Sequence, residues 1–318
     1  TIALNTHGSG AATVVNDAGI NLAASTVGGA LRVTATTGDI TDSGTLTIAG
    51  TSMFITGASG SNIILDSSAN AFSGSVTLKA DSGDETFGNI TFVDSGAVDL
   101  DSSASADGDL YINALADGAV SGDLSVIANG NITQNVALAV TGTTTLEAGS
   151  SNNITLGNTS NNFQGAVQIT SGNNIVLVDA GAIDLGASTV SGTYAVTATS
   201  GGGITDSGVL AITNGATFTV AGGQSIILDQ SSTFSSTVAF VASSSGTLAG
   251  VTINDSDAFE LATLTVTGDL TVTAGGEITD GGTVTVGGDL AATTDAGNSA
   301  INLGTLAVDG SIALNTHG

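Results

Sequence analysis

The 318-residue sequence has no proline, no cysteine and no tryptophan, and a single arginine and a single lysine supply all its permanent positive charge. Average usage would give roughly sixteen prolines. Proline cannot donate to a β ladder and is excluded from strands paired on both sides. Its absence therefore predicts a chain with almost no edge strands. The lack of cysteine excludes disulfides and fits an extracellular protein stabilised without them. Aromatics are scarce, with two Tyr and nine Phe, too few for the girdles of a transmembrane β-barrel. No run approaches the ~18 apolar residues of a membrane helix, so no membrane insertion is expected. No signal-peptide pattern is visible from Thr1 onward.

Against Arg32 and Lys79 stand 28 acidic residues, for a net charge of −26. Nucleic acid and anionic lipid are recognised through Lys and Arg, so neither is an expected partner. The charge reads as a source of solubility and mutual repulsion.

What is present is β-type. Hydrophobic residues make up 41% and mean hydropathy is +0.39, enough for a core and against disorder. Short alternating runs such as LRVTA (31–35), LTIAG (46–50), VTLKA (76–80) and LTVTA (270–274) are bounded by Gly, Asn, Asp or Ser, the signature of strands and turns. One motif recurs as DITDSG (39–44), NITQNV (131–136), GITDSG (203–208) and EITDGG (277–282). Its isoleucines, Ile40, Ile132, Ile204 and Ile278, are spaced by 92, 72 and 74 residues. Phe54, Leu146 and Phe218 follow at one fixed offset, and Phe72, Phe163 and Phe234 at a longer one. The spacing divides the chain at approximately 28–106, 107–190, 191–266 and 267–318, the last continuing into 1–27 of a next copy.

A shorter period underlies the long one. Leu31, Phe54, Val76 and Val98 are separated by 23, 22 and 22 residues, Leu124, Leu146 and Val167 by 22 and 21, and Leu270, Leu290 and Ile312 by 20 and 22. Periods of this size mark solenoids, and about 22 residues suits one rung of a parallel β-helix, whose core exists only when rungs stack. The expectation is one continuous β-solenoid over 1–318 of about fourteen rungs, with each series above forming one inward column. An array of immunoglobulin-like sandwiches is the rival, but it leaves the short period unexplained and lacks the Trp and Cys pair of that fold.

With GITDSGVLAITNGATFTVAGGQSIILD (203–229) and AIDLGASTVSGTYAVTA (182–198) in view, the chain resembles the repeat region of filamentous haemagglutinin-like bacterial surface exoproteins. The resemblance spans essentially the whole chain. It implies a right-handed parallel β-helix shaft, placement outside the cell or on its surface, and a role in adhesion or matrix. No functional residue carries over from it.

Chemistry is thinly represented. A lyase acting on acidic sugars needs cationic groups, and only Arg32 and Lys79 are available, about two rungs apart. His7 and His317 occupy equivalent repeat positions with no cysteine and no serine motif near them, so no triad is formed. Asp42, Asp206 and Asp280 recur in the motif and read as turn formers, and no enzyme is expected. Calcium takes six to eight oxygen ligands. The loose acidic clusters at 81–85, 99–109 and 254–257 could supply some, so Ca2+ stays possible while no other cofactor is implied. Asp269 and Asp289, in GDL at 268–270 and 288–290, are the candidate metal ligands: on adjacent rungs, two carboxylates one strand spacing apart would repel unless something separates them.

Residues 2–8 and 312–318 are both IALNTHG, offset by 310. The expectation is a repeat of about 310 residues in a longer extracellular fibre, with no end caps. Further copies are its partners, head to tail or by self-association, and another cell surface or polysaccharide is a further one. The alternative is a carbohydrate-binding or carbohydrate-active β-helix.

Overall fold

The computed structural model describes residues 1–80, 86–101, 109–112, 120–243, 246–295, 297 and 299–317. Regular structure among them is all strand, in segments of two to nine residues, and the strands pair in parallel. The fold is a β-solenoid of about 13 turns at about 22 residues per rung. Two compact units are present, Thr1–Gly165 and Ala166–Gly318.

In the first unit, long strands alternate with pairs of short ones. Ala12–Asn16, Leu31–Ala35, Ser52–Thr56 and Val76–Ala80 stack into one ladder. Ile20–Leu22, Ile40–Asp42 and Ile63–Leu65 make a second, and Ser25–Val27, Leu46–Ile48 and Ala71–Phe72 a third. Beyond Ala80 the long strands change ladder. Ile90–Asp94, Leu124–Ala128 and Thr144–Glu147 stack on the second one above Ile63–Leu65. The short strands Val98–Asp101, Ile132–Gln134 and Ile154–Leu156 now carry the first. The old third ladder stops at Phe72, and a new one runs through Phe87, Val120, Ala139–Val140 and Asn162–Phe163. One rung is out of chain order: Asp109–Ile112 lies between Val76–Ala80 and Val98–Asp101.

The second unit follows the same plan. Val167–Ser171 is followed directly by Ile175–Asp179, which starts a ladder of long strands with Tyr194–Ala198, Ala216–Val220 and Val238–Ala242. Ile183–Leu185, Ile204–Asp206 and the start of Ile226–Phe234 stack on Val167–Ser171. After Ala242 the long strands move back: Val251–Asp255, Leu270–Ala274, Leu290–Thr294 and Ile312–Thr316 stack on Ile226–Phe234.

Alternation drives this packing. In Leu31–Ala35 the inward Leu31, Val33 and Ala35 are buried, while Arg32 is exposed; burying one such Leu or Val is worth about 1.5–3 kcal/mol. Corners are tight enough to require glycine, and a Cβ on Gly28 would lie 1.6 Å from the Gly8 carbonyl oxygen. Leu31, Phe54, Val76 and Val98 all face the core of the first ladder, but they do not form one column. Leu31 and Val76 both stand opposite Ser52, whereas Phe54 stands between Val33 and Leu78. Leu146 likewise lies opposite Val126 rather than Leu124. Positions i and i+2 point the same way in a strand, so loop lengths decide between registers two residues apart. Leu270, Leu290 and Ile312 are in register as expected.

The recurring phenylalanines meet inside. Phe54 contacts Phe72 edge-on at 6.1 Å, and Phe218 meets Phe234 the same way at 6.2 Å. Phe218 also contacts Tyr194 at 6.1 Å and Phe240 at 6.2 Å. Truncation at this hub, Phe218→Ala, should cost about 3–5 kcal/mol, read as a lower urea midpoint. A loss below about 1 kcal/mol would show that the hub collapses around the gap.

Candidate functional site

The polar side chains that could carry chemistry are set where one rung meets the next. The ITD motif shows the rule. Asp42 ends the strand Ile40–Asp42, and its Oδ1 accepts the backbone N–H groups of Asp66 at 2.9 Å and Ser67 at 3.3 Å. Its Oδ2 accepts from the Asn70 amide at 2.7 Å. Gln134 fills the same place in the second copy, accepting from Asn158 N–H at 3.3 Å and the Asn161 amide at 2.9 Å. In the third, Asp206 accepts from Asp229 N–H at 2.8 Å. In the fourth, Asp280 accepts from Gly304 at 2.7 Å and Thr305 at 2.8 Å. The motif residue is thus a strand-end acceptor for the loop one rung on, a more specific role than turn former.

A second series runs along the corner before the strands. Asp39 accepts from Asn62 N–H at 2.8 Å, Asn62 from Asn89 at 2.6 Å, Asn89 from Asp123 at 2.9 Å, and Asp123 from Thr143 at 2.8 Å. Asp269 and Asp289 belong to the same kind of column in the second unit. They lie on adjacent rungs, since Leu270 pairs with Leu290. Asp269 Oδ1 accepts from Asp289 N–H at 2.8 Å, and Asp289 Oδ1 from Ser311 N–H at 2.8 Å. Each carboxylate therefore meets an amide of the next rung rather than the next carboxylate. The Ser311 hydrogen bonds hold the Asp289 carboxyl below its ordinary range, and the Gly304 and Thr305 amides do the same for Asp280. No group of three or more His, Cys, Asp or Glu suited to a metal ion occurs among the described residues.

Sequence reasoning missed a third set. Asp94, Asp179 and Asp255 each end the first long strand after a change of ladder, in ITFVD, IVLVD and VTIND, and each is buried. Asp94 Oδ1 accepts from Phe72 N–H at 3.1 Å, and Asp255 Oδ1 from Phe234 N–H at 3.3 Å. Phe72 and Phe234 are the last residues of their short-strand ladders, so these carboxylates close a ladder where it stops. Asp179 accepts from Gly181 N–H at 2.6 Å. The legible signal was a five-residue apolar strand ending in Asp. Burial raises the Asp94 and Asp255 carboxyls, against the N–H groups that stabilise their charge.

The remaining candidates stay apart. Arg32 and Lys79 lie two rungs apart on one ladder, and Arg32 points its guanidinium at Met53 sulfur, 3.0 Å away. His7 and His317 are exposed, and the His317 ring contacts the Thr294 carbonyl at 3.0 Å. The acidic cluster 81–85 and residues 102–108 of the cluster 99–109 lie outside the described residues. In 254–257, Asp255 faces inward as described. A cleft of about 260 Å³ is lined by Phe234, Asp255, Phe259 and Glu260 among others, but both phenylalanines are buried and offer no flat face to a sugar.

Fold and polar columns together define a parallel β-solenoid repeat protein. The family model described as Repeats of unknown function (DUF5649) matches residues 9–79, 87–170, 172–241 and 248–317, and the chain belongs to that family. Each matched stretch holds four of the long strands described above, and the ladder changes fall between stretches. No curated protein and no solved structure matches the chain.

Asp206 gives a pH test. Its Oδ2 is buried without a hydrogen-bond partner, because Ser232 stands where Asn70 serves Asp42. Burial pushes this carboxyl up to about 6, against the Gln230 and Asp229 amides, and the Asp229 and Asp184 charges add to the rise. The folded state then holds the proton more tightly than the unfolded chain. Its contribution to stability is full below the ordinary value of 3.8 and is lost as pH rises to about 6. Whatever its absolute stability, Asp206→Asn should lose less unfolding free energy than the parent over that window, measured by urea unfolding at stepped pH. Equal slopes would show that Asp206 titrates normally.

Proposed function

We propose that this chain is a shaft segment of a long extracellular or cell-surface fibre, built on a repeat of about 310 residues, serving adhesion, cell–cell contact or matrix and carrying no enzyme activity. The observation that supports it most is the use of polar side chains. Asp39, Asp42, Asn62, Asn89, Asp206, Asp269, Asp280 and Asp289 each accept a backbone amide of the next rung, so the groups that would make an active site instead join rungs. The sequence likeness to filamentous haemagglutinin-like exoproteins supports the same reading, as does the 310-residue offset between identical heptapeptides. In this role function lies in reach and stiffness, and further copies of the repeat, head to tail, are the first partners.

The native protein should be imaged by electron microscopy and located by protease accessibility on intact cells. Thin fibres with a rung spacing of ~4.8 Å, removed from the surface by added protease, are the expected result. A protease-protected compact particle would end this reading. Glycan-array binding that is lost on replacing Asp255 and Glu260 would instead favour a carbohydrate-binding solenoid.

A further inference from the structure

We propose that the Ile312–Thr316 strand of one copy replaces residues 2–6 of a second copy on the edge formed by residues 20–27, joining copies head to tail. This rests on the fibre reading above and names the surface and its occupant.

The seat is already visible with its own occupant. Ile2 N–H donates to the Asn21 carbonyl at 2.8 Å, Ala23 N–H to Ile2 at 2.8 Å, Thr26 N–H to Leu4 at 2.8 Å and Thr6 N–H to Thr26 at 3.0 Å. Leu4 N–H donates to Ser25 Oγ at 3.0 Å, and that hydroxyl donates to the Ala23 carbonyl at 2.7 Å. Ser25 is buried. The second unit repeats this arrangement inside the chain. Gly186 N–H donates to Val167 at 2.9 Å, Ile169 N–H to Ser188 Oγ at 3.2 Å, and the Ser188 hydroxyl to Gly186 at 2.9 Å. STV (25–27) and STV (188–190) are the same tripeptide. Ile2 stands opposite Leu22 as Val167 stands opposite Leu185. Residues 2–6 therefore sit as the last long strand of a repeat does when the next repeat covers it.

Ile312–Thr316 is the last long strand of the fourth matched repeat and has the same sequence, IALNT. It pairs on one side with Leu290–Thr294. Leu290 N–H takes the Ser311 carbonyl at 2.9 Å and His317 N–H takes the Thr294 carbonyl at 3.3 Å. In a parallel ladder alternate residues turn both backbone groups to one neighbour. The odd-numbered residues therefore face Leu290–Thr294, and Ile312, Leu314 and Thr316 turn theirs away. These correspond to Ile2, Leu4 and Thr6, whose groups engage residues 21–26. Ile312 and Leu314 are 51% and 52% exposed, an uncovered apolar pair on an open edge of the kind that templates further pairing. Exchange keeps the side chains and backbone bonds at the seat and covers that pair. The result is a heterologous contact that propagates rather than closing.

No cysteine competes with an engineered pair. Asn5 stands opposite Thr26, so in the exchanged state Asn315 takes its place. The chain carrying Thr26→Cys and Asn315→Cys should give a disulfide-linked ladder of dimers, trimers and longer species on oxidation. Thr26→Cys with Asn5→Cys, the control, should give internally bridged monomer. Removing residues 1–8 frees the seat and should lower the concentration for half-association at least about tenfold. Leu314→Asp should abolish it, and the free peptide SIALNTHG should inhibit it. Monomer alone from the Thr26/Asn315 pair, in the truncated chain and with the control bridged, would overturn the proposal. Association without that crosslink would overturn the seat while leaving the fibre reading intact.

Discussion

Every rung of this protein must satisfy its backbone on the rung beside it, at one strand spacing. That requirement accounts for the absence of proline, since each strand inside a ladder needs its N–H groups. It also stacks like positions ~4.8 Å apart, where apolar groups gain from neighbours and like charges repel. Valine, isoleucine and leucine can repeat in such columns without limit. Carboxylates can repeat only if something of opposite polarity stands between them.

The structure meets that condition with the backbone itself. Asp269 and Asp289 stack because the N–H of Asp289 lies between the two charges, and the Asp39–Asn62–Asn89–Asp123 series alternates acids and amides along one corner. A chain of net charge −26 thereby turns part of its charge into charge-assisted bonds between rungs. A shaft is the use to which such a surface is best suited. Its polar groups face along the stack, and its cohesion grows with each neighbour added.

The changes of ladder are the second organising feature. After Val76–Ala80 and again after Val238–Ala242, the next long strand stacks on a neighbouring ladder and the old short-strand ladder stops. A stopped ladder exposes N–H groups that would be costly to leave unpaired in a buried place. Asp94 and Asp255 reach those groups at Phe72 and Phe234. Burial of these acids is the cost of the change, and their raised pKa is its record. The matched family repeats begin and end at these same places. The sequence repeat is therefore a unit of ladder exchange as well as of length.

By itself the sequence determined the fold class, the rung of about 22 residues, the inward set and the adjacency of Asp269 and Asp289, because composition and period-two alternation act locally and repeat. Tertiary structure alone decided the register. Leu31 and Val33 point the same way, so only loop lengths place Phe54 beside Val33 rather than beside Leu31. It alone placed Asp109–Ile112 between Val76–Ala80 and Val98–Asp101, and it alone assigned the closing aspartates. The reason is common to all three. Each depends on which rung lies next to which, and parallel pairing joins residues some twenty to thirty-four apart, beyond the reach of any local pattern.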